Sequence, residues 1–502
     1  MVKRLQTHIK KMNFMRYLFL LGLLISNVWV KAQLVKNEKK IGWRGGEANV
    51  KLISFPNKDR SLNCVVLSKP DSIMANVYDD KLNVVYSFAT KNPDPYEGVF
   101  APIGGFFSNN FINIVTKQNG TNIFNCINFN NTTSEIKLSN TEINTKGKRF
   151  VTSVNTGNNF FQIFINKSAP ILYVYSTKND NTFTEQVFEL NKDLNTGLTD
   201  KEMLSVLSTE SRFKSTLIDK DIVTSADVAV LKSKIYLNND TLTLAIDDVY
   251  SETKVFNLNL SNNKVKYQIT SHILEKDSLG NIFSFDEALE NIPKSYNSII
   301  IENILYHVFV TPDILKFSAT KLDDNQLLFV YKTNVTDDID YKNTSILQEG
   351  TSVSSTQTKQ LTTTQFFRKI LGGSAVISGI KNKNNMHQLT IGGYKKLATG
   401  SGMGAFGGMG AMGMIGSGMM SFGGVGFSRN WDKVTRFKTL FDPLTSKHVK
   451  GEVNDDDTEL IKEYVQNVTM PFEGDDIFYC NGNSYYTYYD NLTKNLVTIM
   501  LK

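Results

Sequence analysis

The stretch Asn239-Asp240-Thr241-Leu242-Thr243-Leu244-Ala245-Ile246-Asp247-Asp248, continued by residues 254–260, by Ser261-Asn262-Asn263 and by residues 264–270, decides the reading of this chain. Leu242, Leu244 and Ile246 alternate with polar or small residues. Phe256, Leu258 and Leu260 do the same, and so do Val265, Tyr267 and Ile269. A period of two over six residues puts apolar side chains on one face and polar ones on the other, which is the pattern of a strand. Asn262-Asn263 tolerates positive backbone dihedrals and marks a tight turn. The stretch therefore predicts a three-stranded antiparallel meander.

Similar meanders recur upstream. Residues 64–67, 72–78 and 82–88 form one group, 110–116, 122–129 and 134–138 a second, and 159–165, 171–177 and 183–190 a third. Lys69-Pro70-Asp71, Asn119-Gly120 and residues 178–181 supply the turns. Leading strands that begin near 63, 110 and 159 recur at a nearly constant interval. A small antiparallel sheet repeated at that interval is how propeller blades look in sequence. The chain from 46 to 270 resembles β-propeller proteins, although no WD or kelch signature is present. The resemblance implies an all-β, mainly antiparallel fold of six or seven blades with a few short inserted helices. Two packed β-domains divided near 271–296 are the alternative.

Beyond 270 the interval lengthens, with a fifth meander expected near Asn325, a sixth near Asn385 and a last near Asn483. Three short helices account for part of the extra length. Thr199-Asp200-Lys201-Glu202 and Ser284-Phe285-Asp286-Glu287 both fit a capping box, and residues 458–466 carry Leu460, Ile461, Tyr464 and Val465 on one side. The sixth meander repeats the fourth, with 386–391, 434–441 and 447–453 as its strands. Its first connection, however, is about forty residues long.

That connection is the most unusual segment of the chain. Within the insertion at 396–430, residues 400–426 hold twelve of the 33 glycines and six of the 14 methionines, and no charged residue. So much glycine opposes helix or ladder formation, through the entropy lost on ordering. Methionine adds apolar side chains that adapt to irregular surfaces. Met403, Phe406, Met409, Met412, Met414, Met419, Met420 and Phe422 are thus candidate contact residues for an envelope protein or a membrane surface. An insertion without a specific role, copper(I) held by thioethers at Met409, Met412 and Met414, and a phosphate loop at Gly402-x-Gly404-x-x-Gly407 are the competing readings. The glycine match is expected by chance in such a tract, and no His or Cys stands near the methionines.

Residues 1–32 read as a secretory signal peptide. Lys3, Arg4, Lys10, Lys11 and Arg16 precede an apolar run from 17 to 30, and Val30-Lys31-Ala32 ends it, with a cut expected before Gln33. Residues 33–502 then form a single propeller-like domain. The segment 1–32 carries six basic and no acidic residues, which leaves 49 of each sign in the remainder. A chain balanced in this way lacks the basic excess of a nucleic-acid binder. Cys64, Cys126 and Cys480 lie in apolar runs at no zinc-ligand spacing and are expected as buried free thiols.

Few residues suggest chemistry. His272, His307, His387 and His448 stand apart from one another, and His307 lies in the apolar run 304–310. The acids Asp247-Asp248, Asp323-Asp324, Asp337-Asp338 with Asp340, Asp455-Asp456-Asp457 and Asp475-Asp476 fall at strand ends, where turn chemistry is the default and calcium the sharper alternative. Tyr485, Tyr486, Tyr488 and Tyr489 suit either sheet packing or an exposed platform for a glycan. The expectation is an exported, non-catalytic binding or scaffold protein of the bacterial cell envelope that uses the Gly/Met tract, with no catalytic residue and no cofactor assigned. The alternative is a carbohydrate-active or other hydrolase whose loop acids meet at a propeller mouth.

Overall fold

A computed structural model describes residues 36–41, 50–91, 100–118, 123–177, 182–190, 199–201, 204, 216–238, 240–247, 252–271, 274–276, 282–284, 294–350, 358–396, 433–466 and 472–501. Among these, seven sheets hold four, five or six strands, and a two-stranded ribbon lies between the fourth and fifth. Sheet I contains Lys51–Pro56, Asn63–Lys69, Ser72–Tyr78 and Val84–Lys91 in that order. Sheet II runs from Phe100–Ser108 to Ile136–Glu142, sheet III from Lys148–Asn155 to Phe183–Glu189, sheet IV from Thr216–Leu217 to Val265–Ser271, and sheet V from Ser295–Ile301 to Gln326–Asn334. Sheet VI draws its strands from Leu347–Glu349 through Lys447–His448, and sheet VII joins Phe472–Cys480, Asn483–Asp490 and Asn495–Met500 to Lys36–Lys40. Within sheets I, II, III and V every pairing between consecutive strands is antiparallel, and the fold is a β-propeller.

Sheets IV and VI exceed the meander reading by more than one strand, and sheets I to III each have one strand more than it allowed. In sheets I to III it precedes the three expected strands and lies innermost: Lys51–Pro56 touches both Phe100–Ser108 of the next sheet and Phe472–Cys480 of the last. Neighbouring sheets stack face to face. Ile53, Val66 and Ala75 of sheet I meet Ile112, Ile114 and Ile127 of sheet II, all nearly inaccessible to solvent. The other face of sheet II packs on Phe160, Phe164 and Tyr175 of sheet III. Each large apolar side chain so covered contributes about 1.5–3 kcal/mol. Cys64, Cys126 and Cys480 are buried free thiols, and burial pushes Cys126 and Cys480 up to about 12.

One turn recurs around the ring. Asn130, Asn259, Asp442 and Asp490 each accept backbone N–H bonds from residues two or three further on. Their own carbonyls accept from the fourth residue on, and Ser134, Asn263, Ser446 and Lys494 there hold φ of 56–60°. The side-chain oxygen stands in for a missing backbone partner, which is why Asn and Asp crowd the strand ends.

The fifth sheet begins at Ser295, not near Asn325, which sits in the turn before its last strand. The sixth pairs His387–Lys395 with Lys433–Asp442, in register from His387↔Phe441 to Lys395↔Lys433. Its expected third strand at 447–453 shrinks to Lys447–His448. Leu347–Glu349, from earlier in the chain, lies opposite Val434–Arg436, and Lys359–Gln360 pairs outside it. Helix α1 is Ala226–Ala229. Helix α2, Thr363–Leu371, went unread: a full capping box between Thr362 and Gln365 starts it, and Phe366, Phe367 and Ile370 are buried. Helix α3, Asp457–Gln466, matches the expectation at 458–466. Most of the helix expected at 199–207, and all of that at 284–292 beyond Ser284, lie outside the described residues. Among the described residues, the sheets on either side of 271–296 are in contact. Ala245 and Val255 of sheet IV share a core with Ile300 and Leu305 of sheet V.

The ring is shut by its two chain ends. Lys36–Lys40 pairs with Asn495–Met500 along five residues, from Lys36↔Ile499 to Lys40↔Asn495, and completes sheet VII as its outer strand. The middle is filled by the chain itself. Thr216–Leu217 pairs in parallel with Lys234 and Ile235 on the inner edge of sheet IV, and Ile218 N–H continues the pairing to the Ile235 carbonyl. Arg60 of sheet I then holds Asp219 and Asp221 at 3.1 and 2.7 Å. Ile222 is buried against Ile461, Ile477 and Tyr486. Helix α1 touches Ser374–Lys381 and His387–Lys395 of sheet VI, and the Val230 carbonyl accepts from Asn297 of sheet V. Fifteen consecutive residues thus reach sheets I, IV, V, VI and VII.

Candidate functional site

Met403, Phe406, Met409, Met412, Met414, Met419, Met420 and Phe422 lie outside the described residues, as do residues 1–32. The base of their tract is described. It springs from Lys395 and Lys433, which face one another across the second and third strands of sheet VI, while Lys395 and Lys396 are exposed. Gly392 and Gly393 allow the close packing beside it. A Cβ on Gly392 would meet the Thr435 carbonyl at 2.0 Å, and one on Gly393 would press on Ile370 of α2 at 3.0 Å. Alanine at 392 is therefore excluded without backbone movement.

An ion network braces this base. Arg436 lies 2.5 Å from Glu349 on the edge strand and 2.5 Å from Glu459 in α3. Lys462 reaches the other Glu349 oxygen at 2.7 Å, while Lys438 contacts Glu459 and lies 3.2 Å from Asp456. Asp456 and Glu459 also exchange backbone-to-side-chain bonds of 2.8 and 3.1 Å, a reciprocal cap on the start of α3. Burial opposes charge on Glu349, but Arg436 and Lys462 outweigh it and hold the carboxyl at about 2. Asp457, buried with Ser484 as donor at 3.1 Å, is pushed up to about 6. The acids 455–457, read as a turn, are thus a helix start fused to a salt-bridge network.

The remaining acids sit in other sheets. Asp247 accepts from Ser298 N–H and Oγ at 2.9 and 2.6 Å and from Thr253 at 2.7 Å, joining sheets IV and V. Asp324 and Asp337 bond within their own turns, and Asp338 pairs with Lys342. Asp475 accepts from Tyr486 at 3.0 Å. Among the described residues the loop acids are spread over several sheets. Tyr485, Tyr486, Tyr488 and Tyr489 are all buried, so the sheet-packing reading holds and the glycan platform does not. His307 is a core histidine, 1% exposed, and His448 lies 2.9 Å from Asn343. His272 falls outside the described residues. Among these residues no three His, Cys, Asp or Glu side chains are placed to hold a metal ion, and no helix is long and apolar enough to cross a membrane.

Three polar constellations were not legible from spacing. Arg60 with Asp219 and Asp221 spans the ring, and the guanidinium lies 5.7 Å from the Tyr479 ring. Lys234, 1% exposed, donates to Asn297 at 2.8 Å and to the Ser298 carbonyl at 2.6 Å, with Asp247 at 3.9 Å. Glu302, Tyr306 and His387 form a chain between sheets V and VI. Their partners come from distant strands, so no local motif announces them.

Asp476, on the innermost strand of sheet VII, accepts from Ser54 N–H and Oγ at 2.6 and 2.7 Å. Burial pushes it from 3.8 up to about 8, against the pull of those donors. A carboxyl raised on folding favours the native state fully below its unfolded value, and that contribution is lost as pH rises through 8. Asp476→Asn is accordingly expected to flatten stability against pH between about 4 and 8, as followed by urea unfolding. An unchanged slope would show that the carboxyl is charged in the native state at neutral pH.

No known family and no curated protein matches this sequence. Solved structures similar to it include Kluyveromyces lactis Hsv2 at 8% identity (88% of this chain, 91% of that one, TM-score 0.33). The WD40 domain of SCAP from fission yeast aligns at 7% identity over 93% and 98%, with TM-score 0.29. A member of the DUF4221 family from Bacteroides vulgatus aligns at 11% identity over 91% and 99%, with TM-score 0.32. Sheet order and register, rather than these distant likenesses, carry the fold assignment.

Proposed function

We propose that the chain is an exported, non-catalytic binding or scaffold protein of the bacterial cell envelope, and that the Gly/Met tract is its contact element. The observation that carries this reading is the base of the tract. Two strands paired in full register end side by side, the strand Leu347–Glu349 drawn from elsewhere in the chain flanks them, and Glu349, Arg436, Glu459 and Lys462 lock that strand to α3. A rigid base lets an adaptable apolar segment engage a surface without disturbing the ring behind it. The filled middle of the ring agrees with it. Residues 216–230 occupy the place where inner strands would otherwise surround a ligand.

Deletion of residues 400–426 tests the reading. The shortened protein is expected to melt as the full chain does, yet to lose its co-purifying envelope partner or its membrane fraction. Unaltered fractionation and pull-down partners would remove the tract from any contact role.

A further inference from the structure

A two-residue turn, Glu302-Asn303, links the first two strands of sheet V, and Glu302 holds φ of 55°, a conformation unusual for a residue with a side chain. That geometry accompanies contact with sheet VI. Glu302 Oε1 accepts from Lys381 Nζ at 2.8 Å, and Glu302 Oε2 lies 3.3 Å from His387 Nε2. On the imidazole's other side, His387 Nδ1 is 2.6 Å from the Tyr306 hydroxyl. The histidine side chain is wholly inaccessible and Tyr306 is 1% exposed, whereas Glu302 is half exposed. A hydrogen-bonded chain therefore runs from the surface, through His387, into the aromatic core around Phe317 and Phe329.

The partners fix the tautomer. A carboxylate only accepts, so Nε2 must carry the hydrogen that faces Glu302. Nδ1 is then a bare acceptor, and Tyr306 donates to it. Burial keeps the phenol protonated and able to donate. We propose that His387 is a pH-sensitive latch between sheets V and VI, fastened while the imidazole is neutral and loosened when it gains a proton. Protonation places a hydrogen on Nδ1 opposite the Tyr306 hydrogen. The O–H must rotate so that its oxygen accepts from Nδ1–H, and the hydroxyl hydrogen is left among aromatic rings without its acceptor.

Three charged groups among the described residues act on the ring. Glu302, from the turn of sheet V, and Asp442, at the end of the third strand of sheet VI, favour the imidazolium, while Lys381 from the strand alongside opposes it. Burial exceeds them all and lowers the proton affinity of His387. The ring thus stays neutral at neutral pH, and the latch opens only on acidification. The inference does not depend on the role of the Gly/Met tract.

Two measurements on the full chain test it. Nitrogen-15 NMR of the imidazole is expected to show the Nε2–H tautomer and a titration below that of free histidine. An Nδ1–H tautomer, or an imidazolium at neutral pH, overturns the proposal. Amide exchange, corrected for intrinsic rates, is expected to rise about tenfold in Ile304–Val310 and His387–Lys395 between roughly pH 7.5 and pH 5, while sheet II stays unchanged. Tyr306→Phe removes the donor and should abolish that rise, as should His387→Gln. A rise that persists in Tyr306→Phe, or is absent from the unaltered protein, also overturns it. The NMR arm needs no variant, so a misfolded mutant leaves the decision intact.

Discussion

Removal of Lys36–Lys40 is expected to cost on the order of 5 kcal/mol, from about one net kcal/mol for each ladder bond of a five-residue antiparallel pairing. Domains of ordinary stability hold only about 5–15 kcal/mol in total, so this one strand carries a large share. Its loss exposes the edge of Asn495–Met500 and also frees side-chain contacts. Lys39 Nζ reaches Asn76 and Ser87 at 2.5 and 2.8 Å, and Asn37 donates to the Leu82 carbonyl at 2.8 Å. Both contacts stitch sheet VII to sheet I. Chemical denaturation of a chain beginning at 42 against one beginning at 33 gives the number. A synthetic peptide of residues 33–41 should then restore most of the lost stability. Equal midpoints for the two chains would show that the ring holds without its clasp.

Asp247→Ala is expected to cost about 3–5 kcal/mol, the usual penalty for leaving a buried ion without its counter-charge. Lys234 would stay inside sheet IV, donating to Asn297 and the Ser298 carbonyl, while Ser298 lost both its bonds to the carboxylate. Burial has already brought the ammonium down to about 8, with Asp247 opposing the fall. Without Asp247 the value falls further. The deficit against the unaltered protein is therefore greatest at low pH and shrinks as pH rises through 8, where both proteins carry a neutral lysine. A double replacement, Lys234→Met with Asp247→Leu, should recover most of the loss, because a well-packed apolar pair replaces the ions. Additive losses in the double variant would mean that the two side chains do not act as a pair.

The strands that show alternation were legible, and those that do not were missed. Thr241–Asp247 and Val265–Ser271 announce themselves by period. Phe100–Ser108 does not: a bulge between Pro102 and Gly104 breaks its register, and Gly105 fits only because it has no side chain to strike the Phe55 ring. Lys36–Lys40 is polar throughout and becomes a strand only because an open edge waits for it. Leu347–Glu349 is three residues long, below what any periodicity can register. The unread helix α2 did leave a signal, since Thr362-x-x-Gln365 followed by Phe366, Phe367 and Ile370 fits the same template used elsewhere. At the candidate site, the acid runs could be placed in turns from residue type alone. Which cation each one meets depends on strand pairing, as with Asp247 and Lys234 or Asp456 and Lys438, and spacing holds no record of that.

Asn495 donates to Glu38 across 457 positions of sequence, and this sets an order of events during synthesis. Lys36–Lys40 has no partner until Asn495–Met500 has been synthesised. Sheets I to VI can form before then, but sheet VII lacks its outer strand until both segments are present. Until they pair, both strands present bare edges, which proteases and chaperones can recognise.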